Sequence, residues 1–235
     1  MIDFHSHILP NIDDGSKNME ETIELLEEAQ KAGFTKIIST SHYMEQYYET
    51  TEKNRLELIK KIQQKDQGVE IFPGSEIYIT DELVEVLKEK KASPINNSKY
   101  VLFELPLNVK EIGAKEVVYR LIENDYIPII AHPERYSYVQ QDINYIEELT
   151  QMGALLQANY GSIIGMYGSK AEKTVKKLLK NNSIQFLGSD VHRPGQVYEK
   201  MPKIIKKLKK IIPEDKLEEL TILNPQKVLN NEDII

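Results

Sequence analysis

Two histidines separated by one residue, His5 and His7, lie in the apolar run that opens the chain, with Asp13, Asp14 and Gly15 close behind. In an extended strand residues i and i+2 face the same side, so the two imidazoles stand together and one metal ion can accept both. A buried structural pair would look the same, so the other histidines decide. The chain has five in all: His42 follows "KIISTS", His132 follows "IPIIA" and His192 follows "QFLGSDV". Each stands at or just past the downstream end of an apolar run, and none is placed on a helix surface.

Carboxylates follow the same rule. Glu76 lies in "FPGSEIYI", Glu104 in "YVLFELP" and Asp190 in "FLGSDVH". An acid inside an apolar strand is costly unless it is paired with a cation or bound to a metal, and a salt bridge to lysine is the plainer alternative. Imidazole nitrogens and carboxylate oxygens without sulfur favour Mn, Fe or Zn. Together with Asp14 these acids and histidines exceed what one ion needs, so two or three ions sharing bridging carboxylates are expected. Ions about 3.5–4 Å apart suit hydrolysis of phosphate esters, with a metal-bound hydroxide attacking phosphorus. Arg135, in "AHPERY", would clamp the phosphate by a two-pronged grip, against the plainer reading of a surface arginine. Arg193, beside His192, is a further candidate for the same task.

These side chains need a scaffold that brings distant strand ends together. Apolar runs recur at Ile2–Ile8, Lys36–Thr40, Val69–Ile79, Tyr100–Leu105, Ile127–Ala131, Leu155–Asn159 and Ile184–Leu187. Most are continuous rather than alternating, as in parallel strands covered on both faces. Between and after them, stretches of helical period span Met19–Lys31, Thr51–Asp66, Asp81–Lys91, Ala114–Asn124, Ile143–Gln151, Ala171–Asn181 and Gln196–Lys210. In "EETIELLEEAQKAGF" Ile23, Leu26 and Ala29 share one face and Gly33 ends the helix; Gly153 ends another.

Such alternation predicts an α/β chain built as one closed or nearly closed parallel barrel, whose strand ends share one rim. An open doubly wound sheet alternates likewise, but no G-x-G-x-x-G or phosphate loop follows the first strand. Pro213–Ile235 reads as a short helix and an Asn/Pro-rich cap. In "KIIKKLKK", Lys203–Lys210, isoleucines and leucine recur at helical spacing, which reads as a solvated helix face rather than a docking patch. The 13 tyrosines read as core and rim residues.

At 235 residues the chain can bury a full barrel as one domain, 1–235. It has no cysteine, which excludes disulfides, thiolate ligands and a cysteine nucleophile. A net charge of −7 has the wrong sign for nucleic acid. No basic-then-apolar leader and no span of about 20 apolar residues is visible, so membrane insertion is not expected and a soluble, cytoplasmic protein is.

"HSHILPNIDDG", the lone His after "STS", Glu76 after Gly-Ser, "FELP", "AHPER" and "GSDVH" resemble the polymerase-and-histidinol-phosphatase (PHP) superfamily. Within it they are most similar to the bacterial protein-tyrosine phosphatases of capsule and exopolysaccharide operons. The likeness runs from Met1 to about His192 in the family's order. It implies a single distorted (β/α)7 barrel and a trinuclear, usually manganese centre. Carried over, His5, His7, Glu76 and Asp190 would hold one ion. Glu76 would bridge to a second, held with Glu104 and His132, and Asp14, His42 and His192 would hold the third. Arg135 would bind phosphate. A further arginine usually lies several residues beyond the last histidine; here Arg193 follows it at once. The implied substrate is the phosphotyrosine tail of a cognate bacterial tyrosine kinase that controls polysaccharide synthesis.

Three other readings share parts of this pattern. A histidinol-phosphate phosphatase needs the same cluster and a small alkyl phosphate. Amidohydrolase barrels also begin with H-x-H, but usually place a bridging lysine where Glu104 stands. A barrel that only binds metal and a partner would be marked by loss of a ligand, and none is lost.

Overall fold

The structure, a computed structural model, describes residues 1–65 and 68–234. Its strands are β1 (Ile2–Ser6), β2 (Lys36–Ser39), β3 (His42–Tyr43), β4 (Glu70–Pro73), β5 (Glu76–Tyr78), β6 (Tyr100–Glu104), β7 (Ile127–Ala131), β8 (Leu155–Asn159) and β9 (Phe186–Gly188). All their pairings are parallel. One sheet runs β1-β2-β4 and the other β3-β5-β6-β7-β8-β9. The backbone N–H of Asp190 donates to His5 O at 2.8 Å and that of His7 to Val191 O at 3.0 Å, so the segment after β9 is tied to β1. The result is a curled parallel α/β sheet.

One of the apolar runs is broken, and another is followed by a separate short strand just past its end. Val69–Ile79 divides into β4 and β5 at Gly74–Ser75, and the chain after β2 restarts as β3 at His42. At these breaks the Glu76 N–H is shared between Thr40 O at 3.0 Å and Ser41 O at 3.3 Å. Each break turns its stave, and the restarted pair sets His42 directly beside Glu76 in register. The Pro73-Gly74-Ser75 turn signal inside Val69–Ile79 marks its break, which the reading of one run passed over.

Helices α1 (Met19–Lys31), α2 (Glu52–Gln63), α3 (Leu83–Lys88), α4 (Ala114–Glu123), α5 (Ser137–Gln141), α6 (Asn144–Gln151), α7 (Tyr160–Ile163), α8 (Ser169–Lys180) and α9 (Met201–Leu208) follow or link the strands. The spacing places α2 over Thr51–Asp66; its last residue lies outside the described ones. In α1 the Asn18 side chain caps the N–H of Glu21, and Gly33 follows the end with a φ of 90°, the left-handed conformation a helix stop favours. The tail holds more helix than expected: α10 (Glu214–Glu218), a π turn and α11 (Asn224–Leu229). In α9, Ile204 and Leu208 are buried while Lys207 pairs with Glu172, as a solvated helix face requires. Among the described residues no helix is long and apolar enough to cross a membrane.

The inner face of the curled sheet is apolar below and polar above. Ile2, Phe4, Leu102, Ile129, Leu155 and Phe186 form a buried cluster closed by Val228 and Leu229 of α11. Phe4 stacks on Phe186 with centroids 3.9 Å apart. The register of β1 slips between Asp3 and Ser6, so Phe4 joins this cluster while the next residue, His5, reaches Gln157 beyond it on β8. Asp3 turns the other way and accepts from Ser189 N and Tyr198 Oη, both at 2.7 Å.

Gly188 lies where β1 and β9 approach. A Cβ there would stand 2.5 Å from His5 Cβ and 2.9 Å from His5 N, so the strands would have to part. Gly188→Ala is expected to cost about 1–3 kcal/mol, as overpacking does. Urea unfolding checks this, and an unchanged midpoint refutes the close approach.

Candidate metal centre

Every candidate residue named from the sequence except Arg193 places a side-chain N or O atom at one mouth of the curled sheet. His5 and His7 come from the end of β1 and just beyond it, His42 and Glu76 from the restarted strands, Glu104 from the end of β6, His132 from just after β7, and Asp190 and His192 from after β9. His132 and Asp190 have φ of 32° and 53°. Non-glycine residues rarely adopt that left-handed backbone, and here it re-aims two side chains where strands give way to loops.

Three groups of ligand atoms form. In the deepest, His5 Nε2 and His7 Nε2 are 3.1 Å apart and lie 3.1 and 3.2 Å from Glu76 Oε2. Asp190 Oδ1 is 3.6 Å from the first nitrogen and 3.4 Å from the second. A second group joins His42 Nδ1 to Glu76 Oε2 at 3.3 Å and to Glu104 Oε1 at 3.5 Å. The third places Asp14 Oδ1 3.3 Å from His192 Nε2 and 3.6 Å from His42 Nε2, with His7 alongside.

The grouping differs in two places from the one the resemblance implies. His132 Nε2 is 2.8 Å from Glu76 Oε1 but 3.8 Å from Glu104 Oε2, so His42 lies nearer to Glu104 than His132 does. His7 joins the outer group as well as the deep one. Exposure rises outward: His5, His7 and Glu76 side chains are fully buried, whereas those of His192 and Asp14 are 25% and 52% exposed.

The imidazoles are oriented from behind. His5 Nδ1 faces Gln157 Oε1 at 2.8 Å, His7 Nδ1 faces Asp13 Oδ2 at 2.9 Å, and His192 Nδ1 faces Asp190 O at 2.9 Å. Each partner is an acceptor, and the Gln157 amide is fixed because its Nε2 donates to Ala158 O and Asn159 Oδ1. The proton of each neutral ring is thereby held on Nδ1, leaving Nε2 as a bare lone pair. In the deepest group those lone pairs point at carboxylate oxygens, acceptors facing acceptors. A cation satisfies such a set, and the nitrogen and oxygen donors fit a first-row divalent ion.

The electrostatics carry the same message. Burial would push His7 down, but Asp13, Asp190 and Glu76 outweigh it and hold it well above the ordinary imidazole value. Glu104 is pushed up to about 9, first by burial and then by the charges of Glu76 and Asp190. Glu76 is driven well below its usual value despite burial, because His5, His42 and His132 surround it. Protons thus take the place that cations would hold.

Arg135 stands in the 3-10 turn after His132, and its Nη1 donates to Asp190 Oδ2 at 2.6 Å. Its guanidinium lies 4.5 Å over the Tyr167 ring. Arg193 Nη1 instead donates to the backbone oxygens of Gly15 and His192.

Sequence reasoning passed over the supporting residues. Asp13 accepts from His7 and from the backbone N–H groups of His42 and Gly15. Glu134, fully buried, accepts from Asn159 N at 2.9 Å and Ser162 Oγ at 2.6 Å, and Asn159 Nδ2 donates to Asp190 at 2.7 Å. Gln157 and Asn159 are polar residues at alternate positions of an apolar strand, a signal that was present. Glu134 lies inside the motif "AHPER" but was given no role, and nothing near Tyr167 marked it.

A curled parallel α/β sheet bearing a His/Asp/Glu centre at its strand ends defines the class: a metallohydrolase-type scaffold. The chain belongs to the family described as capsular polysaccharide synthesis, CpsB/CapC, whose model matches residues 1–230. The Staphylococcus aureus protein CapC is 38% identical over 82% of this chain and 77% of its own length. Tyrosine-protein phosphatase CpsB of Streptococcus agalactiae is 30% identical over 98% of this chain and 99% of its own. Among solved structures, a chain from the work on YwqE from Bacillus subtilis and CpsB from Streptococcus pneumoniae, described as unique metal-dependent tyrosine phosphatases, superposes with a TM-score of 0.90. That match has 29% identity and covers 100% of this chain and 96% of that one.

Because burial and the charges of Glu76 and Asp190 push Glu104 up to about 9, a divalent ion bound there must expel its proton. Manganese binding is expected to release protons and to tighten as pH rises toward about 9. Calorimetry in buffers of differing ionisation enthalpy measures the release; none at pH 7 counts against the assignment. His7→Ala is expected to lower bound metal directly, as read by elemental analysis.

Proposed function

We propose that this chain is a metal-dependent protein-tyrosine phosphatase that removes phosphate from the tyrosine-rich tail of a bacterial tyrosine kinase and so regulates capsular or extracellular polysaccharide synthesis. The observation that carries the reading is the convergence of bare imidazole nitrogens on buried carboxylate oxygens at one sheet mouth. Residues 1–235 are read as one PHP-type domain, the two sheets as a single barrel of seven staves, and the setting as cytoplasmic. Two or three divalent ions, manganese first, would be held by His5, His7, Asp14, His42, Glu76, Glu104, His132, Asp190 and His192. Such ions supply Lewis acidity toward phosphate and an activated water near neutral pH.

The chain's own residues do the rest. Arg135, a quarter exposed and bonded on one side to Asp190, has a fork free to take phosphate oxygens and to counter the charge that grows on them. Tyr167 lies beneath that guanidinium and limits its swing. Asp13 and Gln157 keep the protons of His7 and His5 turned away from the reacting side. The phenol of tyrosine has a pKa of about 10, so its phenolate leaves without a strong general acid. With no cysteine in the chain, a thiolate route is closed. The outer candidate ligands are open to solvent, which suits a phosphotyrosine presented on a polypeptide better than a small molecule that must be enclosed.

Metal-reconstituted turnover of a phosphotyrosine peptide against histidinol phosphate, with a chelator control, tests this. Manganese-supported, chelator-sensitive release from the peptide is expected; equal rates with chelator refute the mechanism, and preference for histidinol phosphate replaces the substrate. Arg135→Ala should lower kcat roughly 10²–10³-fold, the loss typical of one transition-state donor, with metal content nearly intact. Full activity in that variant removes Arg135 from the site.

A further inference from the structure

Arg193 is tied into the rim by main-chain oxygens. Its Nη1 donates to Gly15 O and, at 2.6 Å, to His192 O. Gly15 belongs to the loop after β1 that carries Asp14, and His192 to the loop after β9. Those loops supply the two most exposed candidate ligands, whose Asp14 Oδ1 and His192 Nε2 stand 3.3 Å apart. Neither residue lies in a strand: the backbone ties of these loops stop at their neighbours Val191 and Ser16, each bonded to the His7 backbone at 3.0 Å. The deep group is different, because its residues stand in or beside strands joined by parallel pairing.

A guanidinium that clamps phosphate keeps its fork for the anion. Arg135 spends Nη1 on a carboxylate of the centre itself, which holds the guanidinium against the centre, and an aromatic face lies below it. Arg193 instead gives one nitrogen to two neutral carbonyls, that of the preceding residue His192 and, across the gap between the loops, that of Gly15. The bond to His192 O fixes the side chain on its own loop, and the charge-assisted bond to Gly15 O, stronger than a neutral one, holds the facing loop at a set distance.

We infer that Arg193 is a positioning residue that sets the distance between Asp14 and His192, and that it does not grip phosphate. The outer ligand group therefore depends on Arg193, while phosphate depends on Arg135. This rests on the reading of the mouth as a metal centre.

The test uses the full chain and two probes, Mn²⁺ alone and inorganic phosphate added to the Mn²⁺-saturated protein, both followed by calorimetry. Arg193→Ala is expected to weaken Mn²⁺ binding roughly 10–100-fold, the usual loss for an outer-shell support, and to leave phosphate affinity unchanged once metal is saturating. Arg193→Lys, whose ammonium can still reach a carbonyl, should recover much of the Mn²⁺ affinity. Arg135→Ala should show the reverse pattern.

Unchanged Mn²⁺ affinity in Arg193→Ala overturns the inference, whether or not phosphate binding falls. Should circular dichroism show that Arg193→Ala does not fold, Arg193→Gln decides: intact Mn²⁺ affinity overturns the inference, and weakened Mn²⁺ with intact phosphate supports it. If the wild-type chain binds no Mn²⁺, the metal-centre reading falls and takes this inference with it. If wild type binds and Arg193→Ala binds equally, only this inference falls.

Discussion

Lone pairs that face lone pairs are the constraint on which this structure turns. His5 and His7 nitrogens stand 3.1 Å apart, and both face Glu76 and Asp190 with their own protons drawn away to Gln157 and Asp13. Taking a carboxylate out of water costs several kcal/mol unless something positive meets it. In the cation-free protein that need is met by Arg135 and by protons, which is why Glu104 and His7 are shifted so far upward. A cation would complete the arrangement by meeting those lone pairs directly.

Much of the irregular geometry around the mouth serves this cluster. Along a strand side chains alternate between faces, and in a regular parallel barrel only alternate staves supply any one inward level. The slip in β1 lets Phe4 and His5 share a face, and the breaks after β2 and β4 restart two strands with His42 beside Glu76. Left-handed backbone at His132 and Asp190 turns two more side chains toward the centre. The apolar plug below, closed by Val228 and Leu229, has no such irregular purpose and is ordinary packing.

The legible part of the design was the part written in residue type and strand period. Histidines and acids at the ends of apolar runs stand out because those residue types are rare in buried strands. The alternation of strands and helices, and Gly33 as a helix stop, were equally plain. Legibility failed where tertiary placement decides. The break at Gly74–Ser75 was marked by Pro73-Gly74 and read through, whereas the restart at His42 carries no such signal. Whether His42 or His132 pairs with Glu104 turns on fractions of an ångström. Asp13 and Asp14 are neighbours of one type, yet one faces inward to orient His7 and the other faces the open mouth. Arg135 and Arg193 each follow a histidine closely, and only their partners tell them apart.

Depth also divides the centre into parts of unequal stiffness. His5, Glu76 and Glu104 stand in strands whose neighbours are hydrogen-bonded on either side, so displacing them means opening the sheet, at a cost near that of global unfolding. Asp14 and His192 sit on loops, partly in water, and local opening there breaks only a few contacts. Among those contacts are the Asp13 bonds to His42 N and Gly15 N and the bridge of Arg193 between carbonyls. A centre built this way holds its inner ligands by the fold and its outer ones by a few side chains. Preorganisation is therefore strongest where charge is most deeply buried, and adaptability is greatest at the face where a substrate arrives.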